Sequence, residues 1–346
     1  MDNLLISLLR KFEPETAHDI SIKLLKFAPI LFNKFRHELL EQEIVGLKFQ
    51  NPVGMAAGYD KNAEVFESLF KIGFGFVECG TVTPLPQYGN PKPRVFRYIE
   101  ESALINSLGF NNKGINSFLN GVQKRTDFDS PLGINIGPNK DTKNFIDDYT
   151  ILINKAHDFA DYITVNISSP NTENLRKLQD KTALEELISN LVASLKDKKV
   201  QKPIFIKINP DEESNNYSDI INLISKYSIA GLIISNTTIQ REQNLSPQIR
   251  KQDGGLSGKP LLKKSNEILE LVFRETQGSI ILIGVGGISS GGEAYQKIKL
   301  GASLIQLYSA FTFQGPNLIN KINKELVQLA KKDGFNSISE AVGSGL

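Results

Sequence analysis

From Phe49 onward the chain alternates short apolar runs with longer amphipathic stretches. The runs predict strands at Val53–Ala57, Phe74–Cys79, Leu132–Ile136, Tyr162–Ile167, Ile204–Ile208, Gly231–Ser235, Ile280–Val285 and Ser303–Tyr308. Helical patterns lie between and after them, at Ala63–Lys71, Asn144–Phe159, Ala183–Leu195, Tyr217–Ser225, Ser265–Glu275, Gly292–Lys299 and Ile319–Lys331. The strands show no in/out alternation, as expected of a parallel sheet covered on its outer face. Eight such units close most economically into a (β/α)8 TIM barrel. An irregular section from Pro84 to about Asn106 follows the second strand, in the position of a lid or an edge of the site.

The N-terminus has a different pattern. Leu4, Leu5, Ile6, Leu8, Leu9 and Phe12 crowd one short segment, and a second carries Ile20, Ile22, Leu24, Leu25, Phe27, Ile30, Leu31 and Phe32. Pro14 suits the first position of a helix, with Glu15 and Asp19 near its positive end, and Pro29 should end or kink it. Interspersed Lys11, Lys23, Lys26, Lys34 and Arg36 keep every run below the roughly 20 apolar residues of a membrane span. Asp2 before the apolar run and the absence of a basic leader disfavour a signal peptide. Two readings fit: an interfacial helical hairpin, or a cap packed on the barrel's own surface. The expected organisation is a small helical domain at 1–40 and a catalytic barrel at 45–346.

Composition narrows the function classes. A net charge of +2, from 40 basic and 38 acidic residues, argues against a nucleic-acid partner. The single Cys79 excludes a disulfide framework, and His18, His37 and His157 lack metal-ligand spacing, so no metal is expected.

The candidate chemistry lies at strand ends, where barrels keep their active sites. The fourth strand runs into NISSPNT, delivering Asn166, Ser169 and Asn171 to the rim, with Pro170 stiffening the turn. The first ends in AAGYDKN, where Ala57 and Gly58 let a flat group approach the backbone and Lys61 brings charge. Thr81, Asn135 and the run Ser235, Asn236, Thr237 occupy other ends. Lys207 sits inside the apolar run IFIKI, where a buried ammonium needs an anionic or electron-rich partner or loses its proton. GGLSGKP, GVGGISSGG and Tyr308–Ser309 form a late glycine-rich cluster suited to a phosphate. A Rossmann reading of GVGGIS fails, because Ser289 stands at the third glycine position. Small residues, polar amides and a phosphate pocket together fit flavin mononucleotide (FMN). Lys207 is then placed to stabilise negative charge on the reduced ring and Ser169 to take a substrate proton. Serine is a poor base unaided, and Thr172 is the candidate relay.

The blocks AAGYDKN, GTVTPLPQ, INSLGFNN, GINIGPNK, NISSPNT, SNTT, GGLSGKPL, IGVGGI and QLYS, in this order across nearly the whole chain, resemble the quinone-dependent (class 2) dihydroorotate dehydrogenases. The resemblance implies oxidation of dihydroorotate to orotate in pyrimidine biosynthesis, with one FMN per chain. Ser169 removes the C5 proton while hydride passes from C6 to flavin N5. By motif, the flavin contacts are Ala57, Gly58, Lys61, Thr81, Asn135, Asn166, Lys207, Ser235, Gly258, Gly287, Tyr308 and Ser309. Those to orotate are Lys61, Asn106, Gly109, Phe110, Asn166, Asn171, Asn236 and Thr237. In class 2 members two N-terminal helices attach to the membrane and form a quinone tunnel; His18 in PETAH and Arg97 in RVFR match its lining. The resemblance further implies a monomer bound peripherally on the cytoplasmic face of a bacterial inner membrane, with quinone as the electron acceptor.

Two positions depart from the family pattern. Ser107 stands where a bulkier basic residue is common, and Cys79 precedes Gly80 where Val, Ile or Gly is frequent. Class 1 relatives use a Cys base in the fourth-strand region; Cys79 is on the wrong strand. Two further alternatives are a Schiff-base lyase using Lys207, which borohydride would trap with substrate, and a non-catalytic membrane scaffold, which leaves the polar strand ends unexplained.

Overall fold

The structure is a computed structural model describing residues 2–27, 34–172, 175–197 and 201–346. Eight parallel strands form its centre: β1 (Val53–Met55), β2 (Phe76–Val82), β3 (Leu132–Ile136), β4 (Tyr162–Asn166), β5 (Ile204–Ile208), β6 (Gly231–Ile234), β7 (Ile281–Val285) and β8 (Leu304–Leu307). Each pairs with the next, and β8 pairs with β1, Ile305 opposite Val53 and Leu307 opposite Met55, so the barrel closes. All eight fall within or beside the expected runs. Almost every strand residue is buried, because helices cover the outside and side chains fill the inside.

The inside is packed in layers. Phe76, Tyr162, Phe205, Ile233, Ile283 and Leu304 form an apolar floor, with the Tyr162 and Phe205 rings edge-to-face at 5.5 Å. A hairpin of Gln42–Ile44 and Leu47–Phe49 plugs the lower opening and sets Phe49 edge-on to Phe76, 5.4 Å between centroids. Gly133 makes room for Tyr162: a Cβ there would lie 2.2 Å from the ring. Truncating Phe205 to Ala would cost about 3–5 kcal/mol, since this floor cannot collapse into the space. Apolar packing below leaves the polar chemistry to the upper rim.

Pro84–Asn106 is more regular than its sequence reads. Val95–Tyr98 and Ala103–Asn106 pair antiparallel, and Gly255–Gly258 adds on the other side to make a three-stranded sheet. The third strand lies within GGLSGKP, expected to be a glycine loop beside the last two strands. It belongs instead to the connection after β6. Glycine is depleted in strands and its partner lies some 150 residues away, so neither local composition nor spacing reveals the pairing.

At the N-terminus, α1 (Asp2–Leu9) and α2 (Pro14–Phe27) form the expected hairpin. Pro14 opens α2, and the Glu13 carboxylate caps it by accepting from the Thr16 N–H at 3.0 Å. Ile6, Ala17 and Leu25 are buried, whereas Leu8, Phe12 and Leu24 remain 52, 43 and 39 % exposed. One face therefore packs on the barrel and another shows apolar side chains to the surroundings. Pro29, Ile30, Leu31 and Phe32 lie outside the described residues. Among the described residues no helix is long and apolar enough to cross a membrane.

Candidate functional site

A cavity of about 430 Å3 opens at the C-terminal ends of the strands. The ends of β1 and β2 bring Ala57, Gly58, Lys61 and Thr81 to it; β4 and its loop bring Asn166, Ser169 and Asn171. Lys207 enters from β5, Ser235, Asn236 and Thr237 from β6, Gly287 from β7, and Tyr308 and Ser309 from β8. The three-stranded sheet and the segment after it add Asn106, Gly109, Phe110 and Gly258. Phe110 is held at φ +52°, a left-handed conformation costing an aromatic residue of order 1–3 kcal/mol. Asn135 and Thr172 do not line the cavity: Asn135 stands behind Thr81, and Thr172 is buried behind the β4 loop.

One directed hydrogen-bond chain fixes the amides. The Asn236 amide donates to Ser168 Oγ at 2.9 Å, and Ser168 Oγ donates to Asn166 Oδ1 at 2.9 Å. Asn166 Nδ2 donates to Thr81 Oγ1 at 2.9 Å, Thr81 Oγ1 to Asn135 Oδ1 at 2.6 Å, and Asn135 Nδ2 to Glu78 Oε1 at 2.7 Å. Glu78, fully buried, also accepts from Thr164 and Gln306, at 3.0 and 2.9 Å. An acceptor-only carboxylate at the bottom forces every donor above it to point downward, so each amide has a set orientation. Asn171 is held separately, donating to the carbonyl and side-chain oxygens of Asn106 at 3.1 and 3.2 Å. Among the described residues Ser169 Oγ accepts only a 3.3 Å bond from the Asn171 N–H, and it remains at the cavity wall.

Two lysines set the electrostatics. Lys207 is buried, faces Asn166 across the β4–β5 register, and makes no hydrogen bond to another described residue. Burial lowers its pKa, opposed by the Glu78 carboxylate. Burial likewise brings Lys61 down to about 8, although Glu15 and Asp19 pull the other way. At the far end Gly287, with φ +77°, lies against the first residue of the helix Leu262–Thr276: a Cβ there would come within 2.7 Å of the Leu262 nitrogen. Only glycine permits this contact of loop with helix N-terminus, an arrangement that exposes N–H groups to an anion.

A second cavity, about 160 Å3, lies between the N-terminal helices and the barrel. Ile6, Leu9, Ala17, Leu24, Leu25, Leu104 and Phe311 make it mainly apolar, and both His18 and Arg97 line it. His18 packs edge-on to Tyr59 at 5.2 Å, and burial, helped by Lys61, holds its pKa well below the usual value. Arg97 donates to the Arg10 and Phe12 carbonyls at 2.6 and 3.0 Å, tying down the turn of the hairpin. Arg10, Lys61, Val95, Leu104, Leu108 and Tyr308 line both cavities.

Several residues in this architecture were not singled out from the sequence. Glu78 orders the amide chain, and Gln306 beside it leaves a buried Oε1 at the cavity without a partner among the described residues. Arg94 grips Glu15 of α2 with two bonds, 2.6 and 3.1 Å, both side chains buried. Asp211 pairs with Arg176 and Lys264, both at 3.0 Å, and accepts from Thr238, joining the loops after β4, β5 and β6. A charged residue within an apolar run was the available signal for Glu78, as it was for Lys207. Cys79 lies outside the cavity, its thiol against Asp60, and burial raises its pKa well above the usual range. Among the described residues no cluster of three His, Cys, Asp or Glu side chains could hold a metal.

Comparison with known proteins adds relatives along nearly the full length. A family model described as Dihydroorotate dehydrogenase matches residues 39–329. The mitochondrial dihydroorotate dehydrogenase (quinone) of Mus musculus is 43 % identical, covering 98 % of this chain and 89 % of its own. The dihydroorotate dehydrogenase (quinone) of Sulfurimonas denitrificans is 44 % identical over 97 % of this chain and 96 % of its own. Among solved structures, DHODH from Eimeria tenella in complex with ferulenol superposes with a TM-score of 0.92 at 36 % identity, covering 96 % of this chain and 95 % of that one.

Proposed function

Since this chain belongs to the dihydroorotate dehydrogenase family, and its relatives are the quinone-dependent enzymes, we propose that the rim cavity holds FMN and orotate and the helical cavity admits quinone. Oxidation of dihydroorotate with a quinone acceptor is the activity for which those relatives are named. The observation that carries the finer reading is the junction of the two cavities: a polar site with ordered amides meets an apolar one across Lys61 and Tyr308.

The residues present suit a flavin. The Lys207 ammonium, which bonds to no other described residue, and Gln306 Oε1, which has no partner among the described residues, are opposite in character and call for a ligand edge with both acceptors and donors. Ala57, Gly58, Thr81, Asn166, Lys207, Ser235 and Tyr308 would hold the ring, with Asn135 acting through Thr81. Gly258, Gly287 and Ser309 would hold the phosphate. When bound, FMN supplies the acceptor for the C6 hydride and hands the electrons to quinone.

The remaining work falls to side chains. Asn106, Asn171, Asn236 and Thr237 would fix the planar, amide-rich substrate, Gly109 and Phe110 would cover it, and Lys61 would answer its carboxylate. Ser169 takes the C5 proton as the C6 hydride departs, leaving the C5–C6 double bond of orotate. Ser169 and Thr172 are not hydrogen-bonded to each other, so a relay between them requires an intervening water. Because Cys79 lies outside the cavity and Ser169 lines it, the base falls to Ser169.

His18 and Arg97 would line the quinone tunnel, and the exposed Leu8, Phe12 and Leu24 would rest on the membrane. We assign residues 1–40 to this membrane domain and 45–346 to the FMN barrel, acting as a monomer on the cytoplasmic face of the bacterial inner membrane. A yellow protein that turns over dihydroorotate with quinone is expected. A colourless protein that cannot take up FMN would overturn the reading. Deleting residues 1–35 should spare flavin reduction and impair reoxidation by a long-tailed quinone; intact quinone turnover would remove the tunnel.

A further inference from the structure

Lys297 is fully buried on the helix Gly291–Lys299 and lines neither cavity. Its ammonium donates to Ser265 Oγ at 2.6 Å and Asn266 Oδ1 at 2.7 Å, both on the first turns of the helix Leu262–Thr276. No carboxylate lies within ion-pair distance among the described residues. The Glu293 carboxylate, on Lys297's own helix, is occupied by the Ser289 N–H and hydroxyl, both at 2.7 Å, and by Ser290. Ser265 Oγ in turn shares its single proton between the Leu262 carbonyl at 3.1 Å and the Gly286 carbonyl at 3.2 Å, and the Lys297 stem packs under Gly284. A buried cation with only neutral partners is costly, and evolution of a stable core would favour an apolar side chain here unless the charge serves something nearby. What lies nearby is the Gly286–Gly287 wall of the rim cavity and the N-terminus of the helix packed on it.

We infer that Lys297 is a positioning residue for phosphate: from behind the glycine loop its ammonium adds positive potential to the anion end and, through Ser265, fixes the Gly286 carbonyl away from the ligand. This rests on the assignment of that end to the phosphate of FMN. The groups facing Lys297 are Glu293 from its own helix, Ser265, Asn266 and Leu269 from the neighbouring helix, and Gly284 and Ala302 from the barrel side. Burial brings the ammonium down to about 7, against the pull of Glu293, so a bound dianion has a proton to retain.

The test compares FMN with riboflavin, which shares the ring and lacks the phosphate, by fluorescence quenching on reconstitution of the apoprotein. Wild-type protein should bind FMN far more tightly than riboflavin; equal or absent binding of the two would overturn the phosphate assignment itself. Lys297→Met and Lys297→Gln should both weaken FMN by about tenfold or more and leave riboflavin unchanged. A purely structural role predicts that Gln, which can still hydrogen-bond, rescues FMN binding, or that both flavins weaken together; either result removes the inference. Independently of any variant, wild-type FMN affinity should fall as pH rises from 7 to 9 while riboflavin affinity stays flat. The FMN phosphate is already dianionic above about pH 6, so it does not account for that slope. A flat FMN profile over this range also overturns the inference.

Discussion

The two cavities meet at shared residues yet are built by different means. The rim cavity is ordered by a directed chain of five hydrogen bonds from Asn236 to Glu78, each group fixed by the next. The helical cavity has mainly apolar walls, held to the barrel by the buried Glu15–Arg94 pair and by Arg97 on the hairpin's carbonyls. A polar, planar ligand is discriminated by donors and acceptors that cannot reorient; a greasy one is admitted by shape. Damage should therefore separate: rim changes strike substrate oxidation, and helical changes strike acceptor use.

The largest separation is expected at Ser169. Ser169→Ala should leave flavin bound and slow its reduction by dihydroorotate by about 10²–10⁴, read by stopped-flow absorbance. An unchanged rate would take Ser169 out of the chemistry.

Next comes the pair that fastens the helices. Burial disfavours the Glu15 carboxylate, but the Arg94 guanidinium and Lys92 outweigh it and hold its pKa below the ordinary range. Glu15→Gln leaves Arg94 buried without its counter-charge, and breaking such a pair costs about 3–5 kcal/mol. Quinone turnover should collapse while flavin reduction persists, and thermal unfolding should begin earlier. A depressed carboxylate pKa contributes stability above its unfolded value, about 4.3, and loses it as pH falls through the folded value. Wild-type helices should loosen in that acid window; the Gln variant should show no such step.

The same contrast explains what could be read from the sequence. Rim residues sit where a buried strand stops, so NISSPNT, SNTT and AAGYDKN announce themselves as polar ends of apolar runs. Lys207 is legible because a charge within IFIKI has no bland place to go. Glu78 carries the same mark in FVECG but lies below the rim, and its hydrogen bonds span four strands that no local pattern connects. The wall Val95–Tyr98, Ala103–Asn106 and Gly255–Gly258 escaped for a related reason: its pairing is long-range and its third strand is half glycine. For the helices, periodicity gave α2 its start at Pro14 but left open whether the apolar face meets lipid or barrel. Three-dimensional packing answers for the barrel side: Leu25 turns inward onto it, while Leu24 at the neighbouring position stays exposed. Arg94 and Arg97, three residues apart in one basic segment, look alike in sequence; only the fold gives one a carboxylate and the other two carbonyls.

At the junction itself, Lys61 should transmit an intermediate effect. With its pKa at about 8 in the free protein, it is charged at neutral pH and loses its charge above that. An orotate carboxylate bound beside it would raise that value, so orotate affinity should weaken by about tenfold per pH unit from 8 until the bound-state value is reached. Lys61→Met should bind weakly at all pH values with no such slope, measured by flavin absorbance titration. A wild-type profile flat from 7 to 10 would separate Lys61 from the substrate carboxylate.

The smallest effect is expected at Arg97. Its guanidinium is only partly buried and makes two bonds to backbone carbonyls, so Arg97→Ala should cost about 1–2 kcal/mol locally. That loss frays the turn between α1 and α2 without freeing α2, which Arg94 still holds through Glu15. The apparent KM for a long-tailed quinone should rise roughly fivefold to tenfold, a short-tailed quinone should be less affected, and flavin reduction should not change. Equal loss with both quinones would place Arg97 at the quinone ring and not at the hairpin turn, because a contact with the ring is blind to the tail.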